Sequence, residues 1–174
     1  MGENLLTLAY WGLGSGFAAD EWPGGSDALV TGGSPRYQIY RTADDRFLAA
    51  APIEDKFWDN FCSVIGLATA MRAPTAPESE AIAAVGTIIA SKTAAEWTEV
   101  FDGKDVCCSV VASLKDAVAD PHVAARGLLT RTVTVGDRSI PALPVPISEQ
   151  FRGAKEAASP SLGADTDVIL AERT

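Results

Sequence analysis

The chain has 174 residues, room for one ordinary domain or one and a half small ones. Its 14 basic and 23 acidic residues leave a net charge of -9, which argues against nucleic acid or an anionic membrane surface as the main partner. Hydrophobic residues at 47% and charged residues at 21% are the composition of a folded domain, so disorder is excluded for most of the chain.

No apolar run approaches the ~18 residues that a membrane span needs. The opening Met1-Gly2-Glu3-Asn4 carries an acid and no positive region, which predicts no secretory signal. Three cysteines, Cys62, Cys107 and Cys108, are too few and too oddly placed for a disulfide framework, so a reducing cytoplasm is the expected setting. The single histidine, His122, excludes zinc sites built on several imidazoles and limits any Ser-His-Asp arrangement to that one residue.

Residues 5–19 are apolar on most faces and read as a helix loosened at Gly12, Gly14 and Gly16. Four glycines and two prolines between Glu21 and Pro35 predict a loop. Tyr37–Thr42 alternates, Asp44-Asp45 supplies a turn, and Arg46–Ala51 returns as a second strand stopped by Pro52. Phe57, Trp58, Phe61, Val64 and Ile65 give residues 54–67 a helical period. After a Pro-rich linker, Glu78 and Glu80 open another helix, continued by Ile82, Val85, Ile88 and Ile89. Thr93 and Glu96 have capping-box spacing ahead of Trp97, Val100 and Phe101. Val106–Val111 reads as a buried strand containing inert cysteines, Ser113–Ala117 as a short helix, and Asp120-Pro121 as the start of the next. Two strands follow around Gly136-Asp137, and from Pro141 the four prolines at 141, 144, 146 and 160 predict an extended tail, with a short helix after Thr166. The expected class is α+β with short antiparallel strands. The expected pieces are a connecting helix and glycine-rich loop (1–35), a small α+β domain (36–140) and a tail (141–174) made to pack on another surface.

Candidate chemistry is sparse. Gly12-Leu13-Gly14-Ser15-Gly16 resembles a dinucleotide loop, but the fingerprint needs a strand before it and a helix after it, and the flanks here are reversed; close helix packing is the better account. Thr31-Gly32-Gly33-Ser34-Pro35 reads either as a turn or as a mobile flap whose paired glycines let backbone approach a ligand. Glu54 sits at a strand-to-helix corner, where an acid either caps amides or serves as a proton-handling carboxylate. His122 has no acid or nucleophile placed beside it by spacing, and the four tryptophans are spread for packing.

In series, Thr31–Tyr37, Tyr40–Asp44, Ile53–Trp58, Glu96-Trp97 with Val100–Gly103, Asp105–Cys107, Asp120–His122 with Ala125–Gly127, and Leu162–Asp167 resemble the family III coenzyme A transferases, in particular their racemase branch. The resemblance covers only the second half of such an enzyme. It implies the family's small domain without the large domain that carries most coenzyme A contacts, the catalytic aspartate and, in racemases, a histidine. By resemblance, Glu54 matches the glutamate beside that histidine, and Gly32 and Gly33 match the loop covering the thioester. Asp45 stands where the family has a turn glycine. The resemblance also implies no tightly bound cofactor and no metal, a coenzyme A thioester as substrate, and as partner either a second copy of the chain or a separately encoded large-domain chain. Transferases form an acyl anhydride and then a thioester on the aspartate, and racemases need two acid/base groups flanking the alpha carbon; a lone Glu54 does neither. Three expectations therefore compete: a half-enzyme inactive by itself, a non-catalytic assembly or binding module derived from the family, and a truncated or mobile gene fragment with no settled task.

Overall fold

In a computed structural model, residues 2–143, 147–153 and 156–172 are described. They divide between two units, Met1–Val111 and Ala112–Thr174. The apolar opening forms two helices, α1 (Gly2–Leu8) and α2 (Tyr10–Ala19), interrupted at Ala9. Gly12 and Gly16 are buried because the chain folds back on them. A Cβ on Gly16 would stand 2.5 Å from the Trp22 ring, and one on Gly12 would stand 2.9 Å from Pro23. The glycines of the expected helix-packing run thus differ: Gly12 and Gly16 admit the loop that follows α2, whereas Gly14 meets nothing within 4 Å.

A 3-10 turn at Leu29–Thr31 leads to β1 (Gln38–Arg41) and β2 (Phe47–Ala50), paired antiparallel with Tyr40 opposite Leu48. Asp45, the departure from the family's glycine, takes the left-handed conformation (φ 60) in the turn. An aspartate tolerates that region better than most residues, so the hairpin still closes. α3 (Asp55–Ile65) ends at Gly66, α4 (Glu78–Ile89) follows, and α5 (Ala94–Phe101) opens with the predicted Thr93/Glu96 capping box. β3 (Cys108–Val110) adds to β2 and completes an antiparallel sheet in the order β1-β2-β3.

The core of this unit lies between the inner face of the sheet and α3, α4 and α5. Tyr40, Leu48 and Ala50 meet Trp58, Phe61, Ile65, Val85, Ile89 and Trp97 there. Ring contacts run from Trp58 to Phe61 (6.0 Å), Phe61 to Phe101 (6.1 Å) and Phe101 to Trp97 (5.2 Å). The Trp97 indole N–H donates to the Ile89 carbonyl at 2.8 Å, so its polar atom is satisfied inside the core.

β3 departs from the buried strand expected over 106–111. It is an edge strand, with Ser109 exposed and Cys108 and Val110 half-buried. Cys107 lies outside it, exposed and left-handed (φ 46), while its carbonyl accepts from Ala51 N–H. The tryptophans expected to serve packing divide. Trp58 and Trp97 pack in the core, whereas Trp22 rests on Gly16 and Phe17 with 56% of its surface exposed and Trp11 is 46% exposed.

The second unit contains α6 (Leu114–Ala119), α7 (Pro121–Ala125), β4 (Thr132–Val135), β5 (Arg138–Pro141), β6 (Glu156–Ala158) and α8 (Thr166–Ala171). Asp120 caps α7 as expected, and Ser113, read from the sequence as part of the helix, is the N-cap of α6. β4 and β5 form the expected hairpin, and β6, in the tail, pairs parallel with β4, giving the order β5-β4-β6. Pro144 and Pro146, part of the prediction of an extended tail, lie outside the described residues. Among the described residues of this unit no side chain is buried.

Candidate functional site

The hairpin and α3 set up one corner of the first unit. β2 ends at Ala50, Pro52 is buried, and Glu54 takes an extended conformation (φ -72, ψ 143) as the N-cap of α3. Its backbone carbonyl accepts from Trp58 N–H at 3.0 Å, but its carboxylate makes no capping hydrogen bond. Of the two uses open to an acid at this position, amide capping is therefore not the one the structure employs. The carboxylate is exposed and unengaged among the described residues.

The glycine loop is shaped by sterics. Gly32 is left-handed (φ 101), and a Cβ on Gly33 would lie 2.5 Å from the Asp27 carbonyl carbon and 2.9 Å from Ala28 N. Only glycine fits where backbone passes backbone so closely. The Gly33 N–H donates to Ala28 O at 2.9 Å, and the Gly32 carbonyl accepts from Gln38 Nε2 at 2.7 Å. The Tyr40 hydroxyl, buried beneath the loop, donates to Pro35 O at 2.9 Å. Burial raises that phenol's pKa, with a smaller contribution from Cys62, so the hydroxyl keeps the proton it donates.

Between this loop and the outer face of the sheet lies a groove of about 350 Å³, lined by Val30, Thr31, Gly32, Tyr37, Gln38, Ile39, Ala49, Ala50 and Ala51. That size suits a small apolar ligand segment. Ile39 pairs with Ala49 on this face, and Ile39, Phe47 and Val111 are exposed. A second groove of about 570 Å³, lined by Trp11, Trp22, Asp27 and Leu29 among others, runs along α2.

The structure brings the glycine loop and the Glu54 corner together through Arg36, to which no role was given from the sequence. Its guanidinium Nη1 donates to Ile53 O at 2.8 Å and to Asp55 Oδ1 at 2.7 Å. The signal was absent locally, because Arg36 and Asp55 meet across 19 residues of intervening chain. His122 is exposed on the five-residue α7, where Asp120 accepts from its backbone N–H. Among the described residues no three His, Cys, Asp or Glu side chains are gathered as a metal site would need.

This mixed α+β arrangement and the residues around the loop define the class. The chain belongs to CoA-transferase family III, whose model matches residues 1–166. It is 32% identical over 152 residues to alpha-methylacyl-CoA racemase of Homo sapiens and 30% identical over 148 residues to that of Mus musculus. Both matches take in 83% of this chain and 38% of the relative, so the chain spans well under half the length of these curated relatives. Two crystal structures of Rv3272 from Mycobacterium tuberculosis share the fold. A point variant matches at TM-score 0.60 and 24% identity over 79% of this chain and 40% of that one. The orthorhombic form matches at TM-score 0.60 and 20% identity over 92% and 44%.

Proposed function

We propose that the chain is the small-domain half of an acyl-CoA racemase or CoA-transferase, without independent catalysis, and that it completes a coenzyme A thioester site with whatever supplies the rest of the family's length. The observation that carries this reading is Glu54. Its carboxylate is exposed at a strand-to-helix corner and is not used as a cap, in a chain 32% identical to an alpha-methylacyl-CoA racemase. Racemisation removes the alpha proton of a thioester on one face and returns a proton on the other, which requires two acid/base groups. Both come from the partner, Glu54 supports one of them from beside it, and Gly32 and Gly33 cover the thioester. The three-part organisation into 1–35, 36–140 and 141–174 belongs to the same proposal, as does a reducing cytoplasm, where free Cys107 and Cys108 are at home.

The need for a partner is supported by the apolar side chains Leu5, Leu6, Leu8, Trp11 and Phe17 of α1 and α2, which are exposed in the chain by itself. A second copy of the chain is the alternative cover, and then the chain is a non-catalytic assembly module. Light scattering of wild type against a Leu8→Asp, Trp11→Asp double variant distinguishes these arrangements, because a self-associating chain dissociates when α1 and α2 are charged.

The functional test follows alpha-proton exchange of alpha-methylacyl-CoA in deuterated water by NMR. The chain alone is expected to be silent. With the large-domain portion of a family member added, exchange should appear, and Glu54→Gln should slow it far more than it lowers the melting temperature. Equal rates for wild type and Glu54→Gln in the assembled protein would remove Glu54 from the mechanism and leave the assembly module.

A further inference from the structure

We infer that Arg36 is a positioning residue that holds the Glu54 corner and the Gly32–Gly33 loop in fixed relation, a role that rests on reading those two elements as parts of one thioester site. Among the described residues the Glu54 carboxylate has no hydrogen-bond partner, so the direction of its side chain depends on the backbone that carries it. The peptide unit before Glu54 is the Ile53 carbonyl with the Glu54 nitrogen, and Arg36 grips that unit by its oxygen at 2.8 Å. The same Nη1 reaches Asp55 Oδ1, on the other side of Glu54, at 2.7 Å. The guanidinium carbon stands 5.4 Å from the centre of the Trp58 ring, which is buried on the first turns of α3, so the clamp rests on the core.

The other end of the clamp belongs to the loop. The Arg36 backbone N–H donates to Ser34 Oγ at 3.3 Å, and the neighbouring Pro35 carbonyl is held by the Tyr40 hydroxyl at 2.9 Å. A shift of the loop therefore pulls on the Ile53–Glu54 peptide, and a shift of the corner pulls on the loop. The ion pair adds little to stability. The Asp55 side chain is 90% exposed, and ion pairs in that environment contribute little to folding. What the guanidinium supplies is direction, from a planar donor whose geometry is set before it binds.

Amide hydrogen exchange of the chain tests the clamp. The probes are Gly33 N–H, bonded to Ala28 O, and Trp58 N–H, bonded to Glu54 O; Trp97 N–H, bonded to Thr93 O, is the control. Arg36→Gln is expected to speed exchange at Gly33 and Trp58 together by about tenfold or more, to leave Trp97 within twofold, and to move the melting temperature by less than about 4 °C. Arg36→Lys should restore part of the protection at both probes. Unchanged exchange at Gly33 and Trp58, or loosening at only one of them, overturns the inference.

In the assembled enzyme, Arg36→Gln should lower the saturated rate of alpha-proton exchange by about tenfold or more. The half-saturating thioester concentration should stay within about threefold, and Arg36→Lys should recover part of the rate. A rate within twofold of wild type overturns the positioning role. Full activity in Glu54→Gln would instead defeat the underlying reading, and the exchange measurement would still decide whether Arg36 couples the two elements.

Discussion

The two units obey the same local rules and differ in what holds them together. In the first, capped helices and a sheet close over Leu48, Phe61, Val85, Ile89 and Trp97, all essentially inaccessible to water. In the second, caps and ladders are equally well formed: Ser113 accepts from Asp116 N–H, Asp120 accepts from His122 N–H, and β4 pairs on both edges. Yet Leu114, Leu143, Phe151, Leu162 and Leu170 are all exposed, and no described side chain is buried. A three-stranded sheet needs a covered apolar face to stand in water. Local chemistry is sufficient to specify elements, and burial is what makes them stable.

The sharpest way to test this contrast is to truncate one large apolar residue in each unit. Phe61→Ala opens a hole where two ring contacts meet and should cost about 3–5 kcal/mol, enough to unfold a marginally stable unit in a urea titration. Leu114→Ala, at a position 82% exposed, should stay within about 0.5 kcal/mol in the isolated chain while weakening any partner that covers it. A large loss at Leu114 would mean that the second unit has a core of its own. Gly33→Ala comes next. A Cβ pressed against the Asp27 carbonyl should cost about 1–3 kcal/mol, and its loss should be seen in thermal melts of the first unit.

Acid titration gives a smaller effect confined to the first unit. The Asp44 carboxylate is held below the usual range by the Thr42 hydroxyl and then by the Ala94 N–H. Glu96 is held below it by the Thr93 N–H and then by the Thr93 hydroxyl. Each group binds its proton less readily folded than unfolded. Its contribution is therefore present above the ordinary carboxylate range and lost as pH falls through the lower folded value. An Asp44→Asn, Glu96→Gln variant should show a flatter acid limb in circular dichroism, and an unchanged limb would remove these bonds from the account. The smallest effect is on reactivity alone. Burial pushes the Cys62 and Cys108 thiols up to about 12, while Cys107 is exposed. A maleimide at neutral pH should add rapidly to one thiol per native chain and to three after denaturation.

Features governed by neighbouring residues were legible in the sequence. The Tyr37–Ala51 hairpin, the Thr93/Glu96 box, proline at the first position of α7 and the family resemblance each rest on a few adjacent side chains. Features governed by distance were not. β6 joins β4 in parallel across more than twenty residues, β3 turned out to be an edge, and the Leu and Ile residues after 111 carry the same apolar pattern that elsewhere marks a core. The site divided in the same way. Glu54 and the paired glycines stood out by type and position, but the freedom of the Glu54 carboxylate from capping and the grip of Arg36 on Ile53 depend on the fold.

The distribution of indole rings gives the chain an optical reporter. Trp58 and Trp97 are 3% and 1% exposed, whereas Trp11 and Trp22 are 46% and 56% exposed. Trp22 leans on Gly16, meets Phe17 edge-on at 5.4 Å and donates its indole N–H to Asp20 at 3.0 Å. Two of the four indoles therefore report on α2 and the loop that follows it, and two on the interior. Docking on α2 would shift emission toward the blue without changing the interior rings, and unfolding of the first unit would shift it toward the red. Two events that a melting curve merges are separable by colour in the unlabelled protein.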